Sequence, residues 1–434
     1  MGGASVPAVS VPHPPLQLND VVGGVRVDHL ARGFPAKDVA LREVATQGWT
    51  FDDLEPPVLL LREDAIRHNL ALMAAFCDRS GVDLAPHGKT SMAPQLWARQ
   101  LAAGAWGITA ATASQARVMR EVGVRRIVIA NELVDRASID WAASAIHDPE
   151  VELLCYVDSA RGVETLDARL ADANAPRRLD VLVELGYLGG RTGARTVEEA
   201  IGVAERVRAS STLRLAGVAG YEGLVCRDRT EACLDRVREY LDAVRGLGEA
   251  LVKAGGFDDG VVLTAGGSAF FDVVVERLHD MWRGDVPARV ILRSGCYLTH
   301  DSGLYERLSP FAGESESASR FRSAMEVWGH VLSRPERRMA IAGFGRRDVP
   351  FDQGMPIPMT VRSSSGEQRP LDGCVVTDLN DQHAFIRVEE DVALDVGDLV
   401  KCGISHPCSA FDRWRVIPVL DANDRVADAV ATFF

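Results

Sequence analysis

The stretch WGITAATASQARVMREVGVRRIVIA, residues 106–130, shows the folding pattern of this chain most clearly. A short apolar run, WGITAA (106–111), is followed by the amphipathic segment ASQARVMREVG (113–123) and a second apolar run, IVIA (127–130). Near-continuous apolar runs are typical of strands that are buried on both faces, as in a parallel sheet. Gly123 stands where a helix is expected to stop. The stretch therefore predicts a strand–helix–strand unit.

The same alternation continues on both sides of this unit. Repeated strand–helix units over about 250 residues are typical of a (β/α)8 barrel or a doubly wound sheet. We favour the barrel because the spacing stays even and no GxGxxG motif follows the first strand. Nine runs compete for eight barrel places, so one run lies outside the ring or is not a strand. The runs are VLLL (58–61), VDLA (82–85), WGITAA (106–111), IVIA (127–130), VELLCYV (151–157), LDVLVEL (179–185), LRLAGVAG (213–220), VVLTA (261–265) and VILR (290–293).

The segments around the barrel complete the predicted organisation. Residues 1–50 begin with a Pro-rich stretch and are predicted to form an N-terminal arm that packs on a β domain. The barrel is predicted to span residues 51–305, and the Ser-, Gly- and Glu-rich residues 306–320 form a linker. Helical periodicity is lost in residues 321–434, which read as strands separated by turns. The fold class is therefore α/β, with a (β/α)8 TIM-type barrel followed by a mostly β C-terminal domain.

The composition is that of an acidic globular protein. The 434 residues include 48 Lys and Arg against 61 Asp and Glu, which gives a net charge of −13. This balance argues against a nucleic-acid partner, whose phosphates require a basic surface. No apolar run approaches the roughly 20 residues of a membrane span, and the first residues lack the pattern of a secretory signal. The eight cysteines form no CxxC pair and are predicted to be reduced thiols in a cytoplasmic protein.

A lysine follows the second of the nine runs, in APHGKTSMAP (85–94). The C-terminal ends of barrel strands form the mouth where active sites lie. His87 and Lys89 are two residues apart, so both side chains point to one side if the strand continues through them. A lysine among apolar neighbours at this place is suited to be a Schiff-base nucleophile. The alternative is an ordinary solvated surface lysine.

Two glycine-rich loops follow other predicted strands. In LTAGGSAFFD (263–272), the small residues let backbone N–H groups approach a phosphate, and Ser268 is placed to cap the next helix or to donate its hydroxyl. This loop is close to the end of the eighth run, and barrel phosphate sites often lie after strands seven and eight. In GYLGGRTGAR (186–195), Arg191 is suited to bind a carboxylate or to keep a nitrogen lone pair unprotonated. A simple tight turn and two ordinary loop cations, Arg191 and Arg195, are the alternatives.

The β domain contains a possible metal-binding pair in GISHPCSAFDRW (403–414). His406 and Cys408 are separated by one residue, so in an extended conformation both side chains point to one side. An imidazole and a thiolate form a good zinc pair, and two protein ligands leave positions for water or substrate. Two buried core residues are the alternative, and Cys402 is expected to be a small core residue.

Taken together, these motifs resemble the pyridoxal-phosphate enzymes with an alanine-racemase-type barrel (fold type III). The chain is most similar to the branch of D-serine dehydratase and D-threonine aldolase. The resemblance covers roughly residues 50–420 and rests on the joint order of the motifs. They are PHGKT (86–90), GGRTG (189–193), YEG (221–223), AGGS (265–268), RSGCYLTHD (293–301) and HPC (406–408).

The resemblance implies roles for individual residues. Lys89 holds the cofactor as a Schiff base and later moves a proton at the substrate Cα, with His87 and Tyr221 as further catalytic candidates. Arg191 contacts the pyridine nitrogen. The cofactor contacts are completed by Tyr221, Gly266, Gly267, Ser268 and Tyr297. His406 and Cys408 resemble the ligands of a divalent metal, Zn²⁺ in D-serine dehydratase, and the family implies a homodimer.

The reaction implied first is the dehydration and deamination of a D-3-hydroxyamino acid such as D-serine to a 2-keto acid and ammonia. The alternatives are a retro-aldol cleavage to glycine and an aldehyde, an amino-acid racemase, and a pyridoxal-phosphate carrier without catalytic activity. The sequence departs from the usual family pattern at Ala85 and Ser91, and at residues 381–384, where Asp-Gln-His-Ala replaces Glu-Glu-His-Gly. These departures concern the substrate rather than the cofactor.

Overall fold

The computed structural model describes residues 12–257, 260–390 and 392–434. These residues divide into two compact units. The barrel unit consists of residues 12–16, 73–89, 98–257 and 260–295. The sheet unit consists of residues 17–72, 90–97, 296–390 and 392–434. No helix of the described residues is long and apolar enough to cross a membrane.

The barrel unit contains eight parallel strands, which confirms the predicted (β/α)8 architecture. Hydrogen bonding connects them in the order β4-β11-β10-β9-β8-β7-β6-β5. A parallel bridge between His87 and Thr109 joins the first barrel strand to the second and completes the ring. The strands are β4 (Asp83–Leu84), β5 (Ile108–Ala110), β6 (Arg126–Glu132), β7 (Glu152–Val157), β8 (Leu179–Glu184), β9 (Leu213–Ala219), β10 (Val261–Ala265) and β11 (Ala288–Leu292).

Helices separate the strands, as the sequence pattern predicts. Thr112 caps the N-terminus of α4, because its hydroxyl accepts a hydrogen bond from the Gln115 N–H at 3.3 Å. Gly123, with φ of +89°, follows the same helix. The helices are α1 (Leu18–Val22), α2 (Glu63–Ser80), α3 (Pro94–Ala102), α4 (Ala113–Glu121), α5 (Arg136–Ala145), α6 (Ala160–Asp172), α7 (Val197–Ala209), α8 (Glu231–Lys253), α9 (Phe271–Val274) and α10 (Leu304–Leu308).

Side chains from most of the barrel strands fill the interior of the barrel. Trp106 and Tyr156 are the largest of them and are almost fully buried. A packed interior of this kind places reactive groups at the strand ends rather than in a pore. The buried cluster contains Ala85, Trp106, Val128, Leu154, Tyr156, Leu182, Ala219 and Ile291.

The sheet unit is built around an antiparallel sheet, as predicted for the C-terminal domain. Seven of its strands follow the order β15-β14-β18-β12-β13-β17-β16. Cys402 in β18 is fully buried, which agrees with its expected place in the core. The strands of this unit are β1 (Arg26–Val27), β2 (Val39–Ala40), β3 (Val58–Arg62), β12 (Met325–Glu336), β13 (Met339–Ala342), β14 (Ile357–Arg362), β15 (Gln368–Pro370), β16 (Val375–Leu379), β17 (Ala384–Arg387), β18 (Leu399–Gly403), β19 (Val416–Leu420) and β20 (Val426–Ala431).

The run VLLL (58–61) is the ninth candidate strand, and it lies outside the ring. As β3 it pairs antiparallel with β12, with Met325 opposite Leu61, and parallel with β19. All four side chains are 0% exposed. The runs that follow therefore move down by one place: Lys89 follows the first barrel strand and the AGGS loop follows the seventh, not the eighth.

The described part of residues 1–50 also belongs mainly to the sheet unit. Val27, Phe34 and Val44 are buried in one cluster with Trp328 and Val416. Thr50 and Asp53 form a capping box at the start of a short helical turn. These residues contribute apolar side chains to a core that is otherwise built from the C-terminal strands.

The prediction of eight reduced thiols is wrong at one pair. Cys226 and Cys233 form a disulfide between the loop after β9 and the first turns of α8. The two residues lack the spacing of a recognised motif, and only the fold of the loop brings the two sulfur atoms together. The other six cysteines are not joined in disulfides.

Candidate active site

Lys89 lies at the C-terminal end of the first barrel strand. Strand β4 ends at Leu84, and residues Gly88–Thr90 form a 3-10 turn. The strand therefore does not continue to Lys89, so the alternation argument that placed its side chain beside that of His87 is wrong. His87 is nevertheless fixed at the barrel mouth by its bridge to Thr109.

His87 is held in the neutral state by its surroundings. Burial lowers its pKa well below the ordinary value, and the positive charges of Lys89, Arg293 and Arg191 lower the pKa further. Its Nδ1 is buried and has no hydrogen-bond partner among the described residues. The predicted cations Lys89 and Arg191 are thus close enough to act on the same imidazole. A neutral imidazole in this place can form hydrogen bonds but resists protonation.

The loop that carries Arg191 is stabilised by its neighbour Arg195. The Arg195 guanidinium donates to the carbonyl oxygens of Thr192 and Gly193, each at 2.8 Å, and so has a structural role. Arg191 instead places its guanidinium 4.8 Å from the ring centroid of Tyr221. Glu184 lines the same cleft as these two side chains. Arg191 and Tyr221 are therefore neighbours at this cleft, and their contacts with the cofactor stay predictions.

The AGGS loop follows β10 directly. Gly266 has φ of +144°, and a Cβ there would lie 2.7 Å from the backbone nitrogen of Arg293, so this position requires glycine. The Gly267 N–H donates to Glu222 Oε1 at 2.6 Å. Ser268 is buried, but it does not cap a helix, because α9 begins at Phe271 with Phe270 as its N-cap. The prediction of Ser268 as an N-cap is wrong, whereas its role as a hydroxyl donor stays a prediction.

Arg293 is a buried cation that the sequence pattern did not single out. It is 2% exposed, and its guanidinium donates to Thr264 Oγ1 at 2.6 Å and to the Gly220 carbonyl at 2.8 Å. These bonds connect the end of β10 to the loop after β9. Arg293 therefore supplies fixed positive charge beside the AGGS loop, where an anionic ligand would be stabilised.

Several buried polar atoms at the strand ends of the barrel unit have no hydrogen-bond partner among the described residues. An unsatisfied buried polar group costs about 1–3 kcal/mol, so a bound ligand that supplies partners would be favoured. The atoms are His87 Nδ1, Glu132 Oε1, Tyr156 Oη, Glu184 Oε2 and Glu222 Oε2. Together with Lys89, Arg191 and the AGGS loop, they fit an anionic cofactor that carries polar ring substituents.

Glu132 and Glu184 form a carboxyl pair at the ends of β6 and β8. Burial raises the pKa of Glu132 to about 8, and the negative charges of Glu184 and Asp158 act in the same direction. At neutral pH, Glu132 therefore retains its proton. The sequence offered one signal for these residues and for Tyr156: each is a polar side chain within an apolar run or two residues after it.

The predicted metal ligands belong to the sheet unit. His406 Nδ1 is 2.6 Å from Asp352 Oδ2, and Asp352 Oδ1 accepts a hydrogen bond from the Ser409 hydroxyl at 2.7 Å. Although burial lowers the pKa of His406, the adjacent Cys408 and Asp352 raise it to about 9. A carboxylate on one ring nitrogen orients the imidazole and leaves Nε2 for a metal. This donor set fits a divalent cation.

Cys408 lies in a helical turn, Pro407–Ser409, rather than in an extended segment. The alternation argument for His406 and Cys408 is therefore wrong, although Cys408 is still close enough to raise the pKa of His406. The Cys408 Sγ lies 3.3 Å from Thr90 Oγ1 and 3.4 Å from Cys296 Sγ. Among the described residues, no group of three or more His, Cys, Asp or Glu side chains could hold a metal ion.

Tyr297 also belongs to the sheet unit. It is buried, and its ring centroid lies 5.9 Å from that of Phe321. Its contact with the cofactor phosphate stays a prediction.

Comparison with protein families gives two matches that follow each other along the chain. Residues 61–283 match the family described as "Alanine racemase, N-terminal domain". Residues 324–420 match the family described as "Putative serine dehydratase domain".

Individual relatives agree with these matches. The D-threonine aldolase of Arthrobacter sp. is 26% identical over 378 residues, which cover 87% of this chain and 92% of the relative. The solved D-threonine aldolase of Filomicrobium marinum is 26% identical with a TM-score of 0.74, covering 89% and 97% of the two chains. The D-threo-3-hydroxyaspartate dehydratase of Delftia sp. HT23 has the same fold at 22% identity, with a TM-score of 0.71 and coverage of 88% and 99%. A mutant described under the same enzyme name was solved in a metal-free form.

The first family match spans more than half of the chain, and it contains the lysine, arginine and tyrosine that the strand ends bring to the barrel mouth. The protein therefore belongs to the alanine-racemase-like, fold-type III family of pyridoxal-phosphate enzymes, in the branch that carries a serine-dehydratase-type C-terminal domain.

Proposed function

We propose that the protein is a pyridoxal-phosphate-dependent lyase that acts on D-3-hydroxyamino acids by dehydration and deamination, as a D-serine dehydratase does. The observation that carries the reaction type is the His406–Cys408 pair with its supporting carboxylate Asp352. Family membership supplies the cofactor, and the names of the relatives support a lyase acting on D-hydroxyamino acids.

The residues of the barrel unit would hold the cofactor and handle the proton at Cα. The cofactor, when bound, supplies an electron sink that stabilises negative charge at Cα. Lys89 is the residue that would anchor the aldehyde group and take the Cα proton. His87 would stay neutral beside Lys89, because burial and the nearby cations hold its pKa low, and would orient bound groups by hydrogen bonding. Arg191 would keep the pyridine nitrogen unprotonated through its permanent charge.

The phosphate would be held by the AGGS loop. Gly266 and Gly267 leave room for a phosphate where larger residues would crowd the loop, and Arg293 adds fixed charge beside them. Ser268 and Tyr297 complete the proposed contacts. Buried oxygens of Tyr156, Glu184 and Glu132 have no hydrogen-bond partner among the described residues. We assign these side chains to the remaining polar groups of the cofactor and substrate.

The residues of the sheet unit would supply help for the leaving group. A divalent cation such as Zn²⁺ on His406 and Cys408 would act as a Lewis acid toward the substrate hydroxyl. Because Arg191 makes the pyridine ring a weaker electron sink, the departing hydroxyl requires this assistance. Asp352 would keep His406 oriented for that purpose.

A retro-aldol cleavage is the second candidate, and one observation favours it. The relative with 26% identity over most of both chains is a D-threonine aldolase. In that reaction the hydroxyl loses its proton and the Cα–Cβ bond breaks. The site must then supply a base for the hydroxyl proton, whereas dehydration requires help for the departure of the hydroxyl.

The products distinguish the candidates. Purified protein is given D-serine, D-threonine and D-threo-3-hydroxyaspartate, and the keto acid, ammonia, glycine, aldehyde and L-isomers are measured with and without a chelator. Keto acid and ammonia in equal amounts, lost on chelation, are expected. Glycine and an aldehyde without keto acid would establish the aldolase instead, and L-isomers alone would establish a racemase. Cofactor binding without any turnover would leave a carrier protein.

Replacement of the lysine tests the cofactor assignment. Lys89→Ala should abolish the Schiff-base absorbance band and lower turnover by about 10³-fold or more, since both the anchor and the proton acceptor are removed. The exposed Lys253 at the end of α8 provides the control, and Lys253→Ala should keep both the band and the activity. A wild-type protein that stays colourless after incubation with pyridoxal phosphate would refute the proposal.

The proposal includes a homodimer in the cytoplasm, as the resemblance implies. Sedimentation of the cofactor-loaded protein tests the dimer, and a monomer at micromolar concentration would contradict it.

A further inference from the structure

The sheet unit contains two cysteines in van der Waals contact that the proposed reaction does not use as a pair. Cys296 follows the last barrel strand, in the turn Cys296–Leu298, and Cys408 lies in the turn Pro407–Ser409. Their Sγ atoms are 3.4 Å apart. The sequence separation is 112 residues, so this contact is made by the fold and not by a local motif.

We propose that Cys296 and Cys408 are a reversible thiol–disulfide pair, and that its oxidation withdraws Cys408 from metal binding. The formation of the bond needs the two sulfur atoms to approach from 3.4 Å to about 2.0 Å. Both residues lie in short turns, which adjust more easily than strands. The cross-link itself does not depend on the proposed function, whereas its consequence for the metal rests on it.

The surroundings of the pair favour one order of events. Cys408 is partly exposed, whereas Cys296 is 4% exposed, so a small oxidant reaches Cys408 first. Thr90 Oγ1 lies 3.3 Å from Cys408 Sγ and 4.0 Å from Cys296 Sγ, and its hydroxyl can donate to either sulfur. The second thiol is therefore already in position when the first is oxidised.

The oxidant in this proposal is hydrogen peroxide, and the reaction balances with two thiols for each peroxide molecule. The Cys408 thiolate attacks one peroxide oxygen, the O–O bond breaks, and a sulfenic acid and one water form. The Cys296 sulfur then attacks the Cys408 sulfur and displaces a second water as the S–S bond forms. Two sulfur atoms are oxidised and two peroxide oxygens are reduced. A dithiol reductant reverses the reaction by thiol–disulfide exchange.

The pair differs from the disulfide Cys226–Cys233 in the barrel unit. That pair is already bonded and contains no predicted metal ligand. Oxidation at Cys296 and Cys408 would remove a thiolate from the metal-binding pair and leave His406 as its remaining member. A loss of metal should therefore accompany the cross-link.

The experiment uses the full-length protein with pyridoxal phosphate bound, either loaded with Zn²⁺ or stripped with a chelator. Each sample is treated with hydrogen peroxide, its free thiols are alkylated, and its peptides are mapped by mass spectrometry. We expect a linked peptide pair containing Cys296 and Cys408 that disappears after reduction with dithiothreitol. It should form faster in the stripped sample, because bound Zn²⁺ engages the Cys408 thiolate. In the loaded sample, a chromogenic chelator should detect one released zinc ion per cross-link.

Two variants separate the pair from general oxidation. Cys296→Ser should give a trapped sulfenic acid at Cys408 and no cross-link, while it still binds Zn²⁺. Cys402→Ala removes another buried thiol of the same unit and should cross-link like the wild type. If the wild type accumulates the Cys408 sulfenic acid without a linked peptide, the proposal is overturned. The metal part fails if the cross-link forms without zinc release.

The outcomes also separate this proposal from the proposed function. If the protein cross-links reversibly but gives no lyase products in the reduced state, the thiol-pair proposal stands and the proposed function fails. Lyase activity that is unaffected by a complete cross-link would show that Cys408 is not needed as a metal ligand.

Discussion

At the scale of single residues, His406 is oriented by a carboxylate that the sequence gives no reason to place beside it. Asp352 is 54 positions away and lies 2.6 Å from Nδ1. Its second oxygen accepts from Ser409, which is in the same turn as Cys408. Asp352 therefore couples the two predicted ligands to one side chain, and the removal of its charge should affect both.

Asp352→Asn should weaken zinc binding by about 10–100-fold, because metal-binding histidines depend on such partners for their orientation. Competition titration with a chromogenic chelator measures this affinity. Asp412→Asn is the matched control, since Asp412 lies in the following turn, Phe411–Arg413, where it accepts a hydrogen bond from Arg413. Equal zinc affinity in the wild type and Asp352→Asn would argue against His406 as a ligand.

Glu132 should make the stability depend on pH. Its pKa is raised to about 8 in the folded protein, first by burial and then by Glu184 and Asp158, against an ordinary value of 4.5. Between these two values the folded state binds more protons than the unfolded state, so stability falls as pH rises. Below pH 4.5 and above about pH 8, the contribution of Glu132 to stability does not change with pH.

The variant Glu132→Gln keeps a side chain of the same size that can form hydrogen bonds, but this side chain does not ionise. We expect the melting temperature of the wild type to fall by more degrees than that of the variant between about pH 5 and pH 8. The exposed Glu205 in α7 gives the control, and Glu205→Gln should show the wild-type slope. Parallel slopes for the wild type and Glu132→Gln would show that Glu132 is ionised throughout this range.

At the scale of secondary-structure elements, the loop after β10 is determined by backbone geometry. Gly266 adopts a conformation that side chains disfavour, and the backbone of Arg293 occupies the space of a Cβ. The Ser294 hydroxyl donates to the Gly267 carbonyl at 3.0 Å and fixes the other side of the loop. The β10–β11 pairing, with Ala265 opposite Leu292, holds both segments together.

Gly266→Ala should therefore distort this loop and cost about 1–3 kcal/mol of folding free energy. The loss of one charge-assisted hydrogen bond to the phosphate, about 1.5 kcal/mol, should weaken cofactor binding about tenfold. Thermal melts and titration of the apoprotein with pyridoxal phosphate measure the two effects.

Gly202 provides a matched control, because it lies in α7 and a Cβ there would meet no atom within 4 Å. Gly202→Ala should leave cofactor affinity unchanged and stabilise the helix by about 0.5–1 kcal/mol. If Gly266→Ala binds the cofactor as tightly as Gly202→Ala, the phosphate does not bind at the AGGS loop.

At the scale of the whole molecule, the two kinds of chemistry are assigned to different units. Lys89, Arg191 and the AGGS loop belong to the barrel unit, whereas His406, Cys408 and Asp352 belong to the sheet unit. Loss of the metal should therefore leave the cofactor residues in place.

Dialysis against a chelator should abolish turnover while the Schiff-base absorbance band is kept, and added Zn²⁺ should restore the activity. Absorbance spectra and product assays on the same samples test this separation. Loss of the band together with the activity would show that cofactor binding depends on the metal.

Much of this organisation is readable in the sequence, because apolar periodicity reports burial on a local scale. Eight of the nine apolar runs form the barrel, and the later runs form the antiparallel sheet, as predicted. The lysine and the arginine were recognisable because each follows such a run. Arg293 and Glu222 were missed because their bonds to Thr264, Gly220 and Gly267 join loops that are distant in sequence.

The sequence by itself determined the barrel, the family and the residue types at the strand ends, because these depend on local pattern and motif order. Only the tertiary structure decided that VLLL (58–61) pairs with β12 and β19, since a fully apolar run fits the interior of either sheet. It also decided the local geometry of Lys89 and Cys408, because turns and not strands carry both residues. The tertiary structure alone also decided the contact between Cys296 and Cys408, since only the packing of two turns that are distant in sequence brings the thiols together.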